Sequence, residues 1–181
     1  GQNFKGDILI GADGHRSMVR QKIAPNQPHA EFAGYLVWMT TIPENQFPKD
    51  MLPNLHGKQE KFTNSSGGIL FGSVVVVENE ARQSACTWYD NTQAQLLYRL
   101  GAVRENFVHH SVHGHEINND ELSILADHAK ADWPEPWSTF ILYAINSRNL
   151  IGVPIKEYVP EKLVDGRFAI LGDAAHVPSP I

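Results

Sequence analysis

Two apolar runs, one near each end of the chain, are closed by glycine and followed at once by aspartate. They read "DILIGADG" (residues 7–14) and "FAILGDAAH" (residues 168–176). Near-continuous apolar runs mark parallel strands buried on both faces. Ligands of open α/β sheets bind beyond the carboxyl ends of such strands. Glycine at that position lets the backbone approach a ligand closely. Aspartate, which when ionised only accepts hydrogen bonds, suits the hydroxyls of a ribose or polyol. The residues alone leave a plain reading open, because Asp-Gly is also a common turn and Gly-Asp a simple strand exit.

Between these ends the chain alternates apolar patterns with breakers. "RSMVRQKI" reads as a short helix with Met18, Val19 and Ile23 inward, ended by Pro25 and Pro28. "EFAGYLVWMTTIP" is rich in aromatic and β-branched residues and reads as a strand. "LHGKQEKFTN", "GGILFGSVVVVE" and "QSACTWYDN" follow as three more, so an antiparallel or mixed sheet is expected in mid-chain. "NNDELSILADHAKADW" predicts a helix that Asn118 caps, with Leu122, Leu125, Ala126 and Ala129 on one face. A second helix is expected from Pro136, its stripe being Trp137, Phe140, Ile141, Ala144 and Ile145. "NLIGVPIKEY" and "RFAILG" return as strands.

Composition narrows the function classes. With 15 basic against 20 acidic residues in 181, the formal net charge is −5, which argues against a nucleic-acid partner. The single cysteine, Cys86, cannot form an internal disulfide and fits a reducing, cytoplasmic setting. The runs "VVVV" and "FILYAI" fall far short of the roughly 20 apolar residues that span a bilayer, so no membrane partner is expected. No signal peptide is visible at the start.

"DILIGADGHRSMVR" resembles the DG motif of the flavoprotein aromatic hydroxylases, the single-component FAD monooxygenases typified by p-hydroxybenzoate hydroxylase. "GRFAILGDAAHVPSP" resembles their GD motif, and "IKEYVPEKLVDGR" their lead-in to it. The motifs stand in the family's order. Within the family, "FAGYLVWMTTIPE" and "TWYDN" look most like the 2,6-dihydroxypyridine hydroxylase branch. The resemblance implies an α/β chain: a mixed β-sheet substrate domain with helices on one face, flanked by two strands of an incomplete FAD-binding sheet. Residues 1–28 would be part of the FAD-binding domain, 29–150 the substrate domain, and 151–181 the return strand and GD motif. The family opens with strand, G-x-G-x-x-G and helix, and that fingerprint does not occur in these residues. The chain is therefore expected to be the middle of a larger enzyme.

The same resemblance assigns roles. Asp173 would bind the ribityl chain of FAD, with Gly172 allowing close approach, and Pro180 would sit near the reactive side of the isoalloxazine. Asp13 and Gly14 would lie by the pyrophosphate and influence reaction with the nicotinamide. Ser17 and Arg20 match the tail of that motif, where Arg20 either neutralises phosphate or caps the helix end. The implied activity uses NADH or NADPH and O₂ to hydroxylate an aromatic or heteroaromatic substrate through a flavin C4a-hydroperoxide. Relatives with epoxidase, halogenase or reductase chemistry, and a non-catalytic substrate-domain module, are the alternatives. The ring-activating base is not identified by the motifs. Taken alone, these residues are expected not to retain FAD and to be inactive, and their open strand edges to recruit a second copy as a homodimer or a swapped assembly.

Other residues attract attention. Tyr35, Trp38 and Trp88 lie on presumed sheet strands and read either as core or as an apolar wall for a flat ring. "HHSVHGHE" would place His109, His113 and His115 on one face of a strand, but without ligand-spaced carboxylates or cysteines it predicts no metal site. His176 reads as structural, and Cys86 as an inert strand residue.

Overall fold

The computed structural model describes residues 2–52, 59–75 and 82–180. In chain order the elements are β1 (Leu9–Gly11), α1 (Met18–Ile23), β2 (Glu31–Pro43), β3 (Glu60–Thr63), β4 (Ile69–Val75), β5 (Gln83–Asp90) and α2 (Ala94–Arg99). They continue with β6 (Val103–Arg104), β7 (Phe107–Val108), β8 (Val112–His113), α3 (Asn119–Asp132), α4 (Trp137–Asn146), β9 (Ile151–Glu157), β10 (Val164–Asp165) and β11 (Phe168–Ile170). The start of the expected "LHGKQEKFTN" strand and the end of the "SVVVVE" strand lie outside the described residues. The chain divides into two compact units. One holds the described residues up to Ala33, Arg104–Val108 and those from Ile155 on; the other holds those of Gly34–Val103 and His109–Pro154. The divisions fall a few residues after 29 and 151, and the hairpin of Arg104–Val108 joins the first unit.

In the first unit, β1 and β11 pair directly and in parallel, with Leu9 opposite Phe168, Ile10 opposite Ala169 and Gly11 opposite Ile170. The ladder runs one step further, because the Leu171 N–H donates to the Gly11 carbonyl at 3.0 Å. β10 adds an antiparallel edge to β11. Helix α1 lays Ile23 and Val19 against Ile170, Ala174, Ala175 and Phe168. One expectation is corrected. Met18 points outward and is 77% exposed, whereas Arg20 is fully buried. The helix has only six residues, and its inward face is set by Ser17, Arg20 and Ile23 rather than by its apolar residues alone.

The second unit is built on a six-stranded sheet of order β3-β4-β5-β2-β9-β8. The pairs β3–β4, β4–β5, β5–β2 and β9–β8 all run antiparallel, so the parallel pairing belongs to the small sheet of the first unit. Register puts Leu70, Trp88 and Trp38 in one row on one face. Helices α3 and α4 cover that face, bringing Leu125, Ile141, Ala144 and Ile145 against Trp38, Cys86 and Trp88. Trp88 meets Trp133, the residue that ends α3, edge-on at 5.8 Å between centroids. Asn118 caps α3 as its sequence implies, its Oδ1 accepting from the Glu121 N–H at 2.9 Å. All five stripe residues of α4 are buried, each contributing roughly 1.5–3 kcal/mol of apolar transfer if large.

The fit between sheet and helix depends on one missing side chain. A Cβ built on Gly72 would stand 1.9 Å from the Trp137 ring, so only glycine lets that indole lie on the sheet. The Trp137 Nε1–H then reaches Glu60 Oε2 at 2.7 Å. Gly72→Ala is expected to destabilise the second unit by about 1–3 kcal/mol through overpacking. Urea unfolding followed by tryptophan fluorescence measures it, and an unchanged midpoint would contradict this packing.

Candidate functional site

The parallel pairing of β1 and β11 sets their carboxyl ends side by side, so the loops Ala12–Ser17 and Gly172–Ala175 leave the same end of one small sheet. Each loop is held in its own way. The Asp13 carboxylate turns back on the start of α1, where Oδ2 accepts from the N–H of Met18 at 2.7 Å and of Val19 at 3.5 Å. Ser17 is the N-cap, and its Oγ accepts from the Arg20 N–H at 2.9 Å. Three otherwise unpaired donors of the first turn are thus satisfied. The Ser17 hydroxyl, and after it the backbone N–H groups, hold the Asp13 carboxyl below the usual carboxylate range, with slight burial opposing.

Arg20 joins the two loops. Its Nε donates to Pro28 O at 3.1 Å. Its Nη1 donates to the carbonyls of Asp173 at 3.2 Å and Ala174 at 3.4 Å. Its Nη2 donates to the His15 carbonyl. The guanidinium carbon lies 4.2 Å from the centroid of the Tyr158 ring, in cation–π geometry. A buried charge is tolerated only when its donors are used, and here carbonyls from four positions use them. Tyr158 itself is buried, and its hydroxyl has no hydrogen-bond partner among the described residues.

The clamp grips backbone, and it leaves the Asp173 side chain outside. Asp173 is exposed, and its carboxylate makes no hydrogen bond among the described residues. Gly172 and Gly14 both have positive φ, +59° and +78°, and nothing lies within 4 Å of where a Cβ would stand on either. A free carboxylate beside open backbone fits a polyol–phosphate ligand such as FAD. Pro180 is exposed near the end of the described chain.

One group was not singled out from sequence. His15, Arg16 and Lys156 lie within electrostatic reach of one another, and Asp173 lies close to His15. Partial burial first, then the charges of Lys156 and Arg16, hold the His15 imidazole below its ordinary value, while Asp173 opposes. Burial and then Arg16 lower Lys156 as well. Arg16 and Lys156 thus concentrate positive charge at the strand ends of a chain whose net charge is −5, with the His15 imidazole favoured in its neutral form beside them. Residues so far apart in sequence offer no local spacing signal; only the fold brings Lys156 to the DG loop.

The three aromatic candidates separate. Trp38 and Trp88 are buried on the helix-covered face of the large sheet, and Trp38 Nε1 donates to the buried Asp90 at 3.0 Å. Of the two readings the sequence left open, they take the first and form core under α3 and α4 rather than a wall for a ring. Tyr35 lies on the opposite face, 6.5 Å from Tyr89, which meets Phe71 at 5.8 Å. His113 and His115 stack at 5.5 Å, while His109 lies outside any strand. No group of three or more His, Cys, Asp or Glu among the described residues is placed to hold a metal ion. Burial pushes the Cys86 thiol well above its ordinary value. No helix among the described residues is long and apolar enough to cross a membrane.

Residues 1–181 match the family model described as FAD binding domain. The chain is 24% identical over 183 residues to 2,6-dihydroxypyridine 3-monooxygenase of Paenarthrobacter nicotinovorans, aligning 99% of this chain with 45% of that protein. It is 27% identical over 189 residues to aurachin C monooxygenase/isomerase of Stigmatella aurantiaca, aligning 99% of this chain with 39% of that one. The chain thus spans less than half the length of these relatives. Its fold is similar to that of 2,6-dihydroxypyridine-3-hydroxylase from Arthrobacter nicotinovorans, with a TM-score of 0.65 at 20% identity over 96% of this chain and 43% of that chain.

The clamp has a direct test. Arg20→Met removes every guanidinium bond to the two loops and is expected to cost about 3 kcal/mol or more, since bonds to charged groups contribute ~1.5–3 kcal/mol each. Tyr158→Phe keeps the ring and deletes an unpaired hydroxyl, so its cost is expected to be near zero. Thermal unfolding of both variants checks this, and equal losses would contradict the clamp.

Proposed function

This chain belongs to the FAD binding domain family, and we propose that it forms the ribityl-holding and ring-holding parts of an FAD-dependent, NAD(P)H-using monooxygenase that hydroxylates an aromatic or heteroaromatic substrate. The observation that carries the reading is the parallel pairing of β1 with β11, which brings the Asp13 and Asp173 loops to one end of one sheet. When bound, FAD supplies hydride acceptance from NAD(P)H and the activation of O₂. The chain's own residues bind, orient and balance charge.

In this reading the exposed Asp173 carboxylate accepts from ribityl hydroxyls, and Gly172 lets the ligand approach the backbone. Asp13 acts by holding its loop, since its carboxylate is already engaged by the first turn of α1. Gly14 leaves that loop open toward phosphate. Arg20 is a positioning residue, because carbonyls occupy its donors. The phosphate-balancing role passes to Arg16 and Lys156, whose charge suits the pyrophosphate of FAD or of NAD(P)H, with the His15 imidazole beside them as a hydrogen-bonding group. Pro180 is assigned to the reactive side of the flavin from the family motif. On the second unit, the uncovered sheet face with Tyr35, Tyr89 and Phe71 offers a wall for a flat ring. The relative named for 2,6-dihydroxypyridine supports a small ring as the substrate class.

Asp173→Ala in the whole protein is expected to weaken FAD binding by about one to two decades, the equivalent of one charge-assisted hydrogen bond of ~1.5–3 kcal/mol. Titration of apo-protein, read by quenching of flavin fluorescence, measures the change. An unaltered dissociation constant would remove Asp173 from the site.

A further inference from the structure

We propose that the ring taken by the uncovered face of the large sheet carries a negative charge, and that Lys61 is its counter-ion. This rests on the reading of that face as a ring-binding wall, and it adds the charge of the substrate.

Strand parity defines the face. Antiparallel partners share a side, so Val37, Tyr89 and Ile69 form one row, and Met39, Thr87 and Phe71 the next. Lys61 pairs directly with Phe71 across β3 and β4 and extends the second row. The aromatic rings lie in sequence toward it: Tyr35 is 6.5 Å from Tyr89, Tyr89 is 5.8 Å from Phe71, and Lys61 Nζ is 5.5 Å from the Phe71 centroid. Apart from Val37, which is buried, these residues are partly or fully exposed, unlike the row of Leu70, Trp88 and Trp38 on the other side.

The charge on this face is one-sided. Over Gly34–Pro43 of β2 and the described residues of β3, β4 and β5, the residues that share the face with Phe71 are Tyr, Val, Met, Thr, Pro, Ile, Ser, Ala and Gln, together with Lys61, and none is acidic. Glu31, of the same parity at the start of β2, belongs to the first unit and accepts from Asn106 Nδ2 at 2.7 Å. Glu60, its chain neighbour, faces the other side, where it accepts from Trp137 Nε1. Lys61 has no ion pair among the described residues. A lysine on an edge strand also discourages strand pairing, but that role requires neither the aromatic row nor the absence of acids beside it. A ring stacked on Tyr89 and Phe71 presents its rim to Nζ. A carboxylate or ring oxyanion there meets an uncompensated cation, and a neutral substituent does not.

The test uses one ring with two substituents, 2-naphthoate and 2-naphthamide, titrated into the protein while the aromatic NMR signals of Phe71 and Tyr89 are followed. The carboxylate is expected to bind at least tenfold more tightly. Lys61→Gln, a change at an exposed position, is expected to bring the acid down to the amide and leave the amide unchanged, while Lys61→Arg keeps the difference. Equal affinities in the wild type, or a preference that survives Lys61→Gln, would overturn the counter-ion and leave the ring wall standing. Failure of either ring to shift Phe71 and Tyr89 would remove the wall, and the inference with it.

Discussion

A guanidinium without solvent access ties the first unit together. Arg20 is carried on a six-residue helix too short to be stable by itself. Yet its donors reach carbonyls of the DG loop, of Pro28 and of both Asp173 and Ala174. The charge is supported by the face of Tyr158 beneath it. Because the bonds go to backbone, the loops are fixed while their side chains stay available. That explains how Asp173 can be exposed and unpaired in a loop that is otherwise rigidly specified. It also moves the proposed electrostatic task from Arg20 to Arg16 and Lys156, which lie nearer the surface.

The second unit follows from a different constraint, the unequal covering of one sheet. Gly72 admits the Trp137 ring, and α4 then settles on the face that holds Leu70, Trp88 and Trp38. The opposite face keeps Tyr35, Tyr89 and Phe71 without a helix over them among the described residues. Alternation along β5, where buried and partly exposed residues strictly take turns, records the same asymmetry. The ring wall proposed here is a consequence of which side the helices chose.

Much of this was legible from the residues. Asn118 marks the start of α3, the α4 stripe is apolar at helical spacing, and the Gly-ended runs announce strands whose exits face one another. What escaped the sequence has physical causes. Met18 looks like a core residue by type, but at the first helical position it projects away from the sheet, and the long Arg20 side chain turns in. Trp38 and Tyr35 both read as sheet aromatics. Their odd separation shows only that they face opposite sides, not which side is covered. Helix α2 has no side-chain cap at Gln93 and only six residues, so neither end is signalled. Lys156, on β9, comes within electrostatic reach of His15, a proximity no spacing rule describes.

The central claim is that two distant motifs make one flavin-holding surface at the end of one parallel strand pair. Hydrogen–deuterium exchange of the whole protein, with and without saturating FAD, tests it most directly. The account predicts slowed exchange in residues 11–17 and 172–176 together. Protection of one loop alone, or of neither, would contradict it.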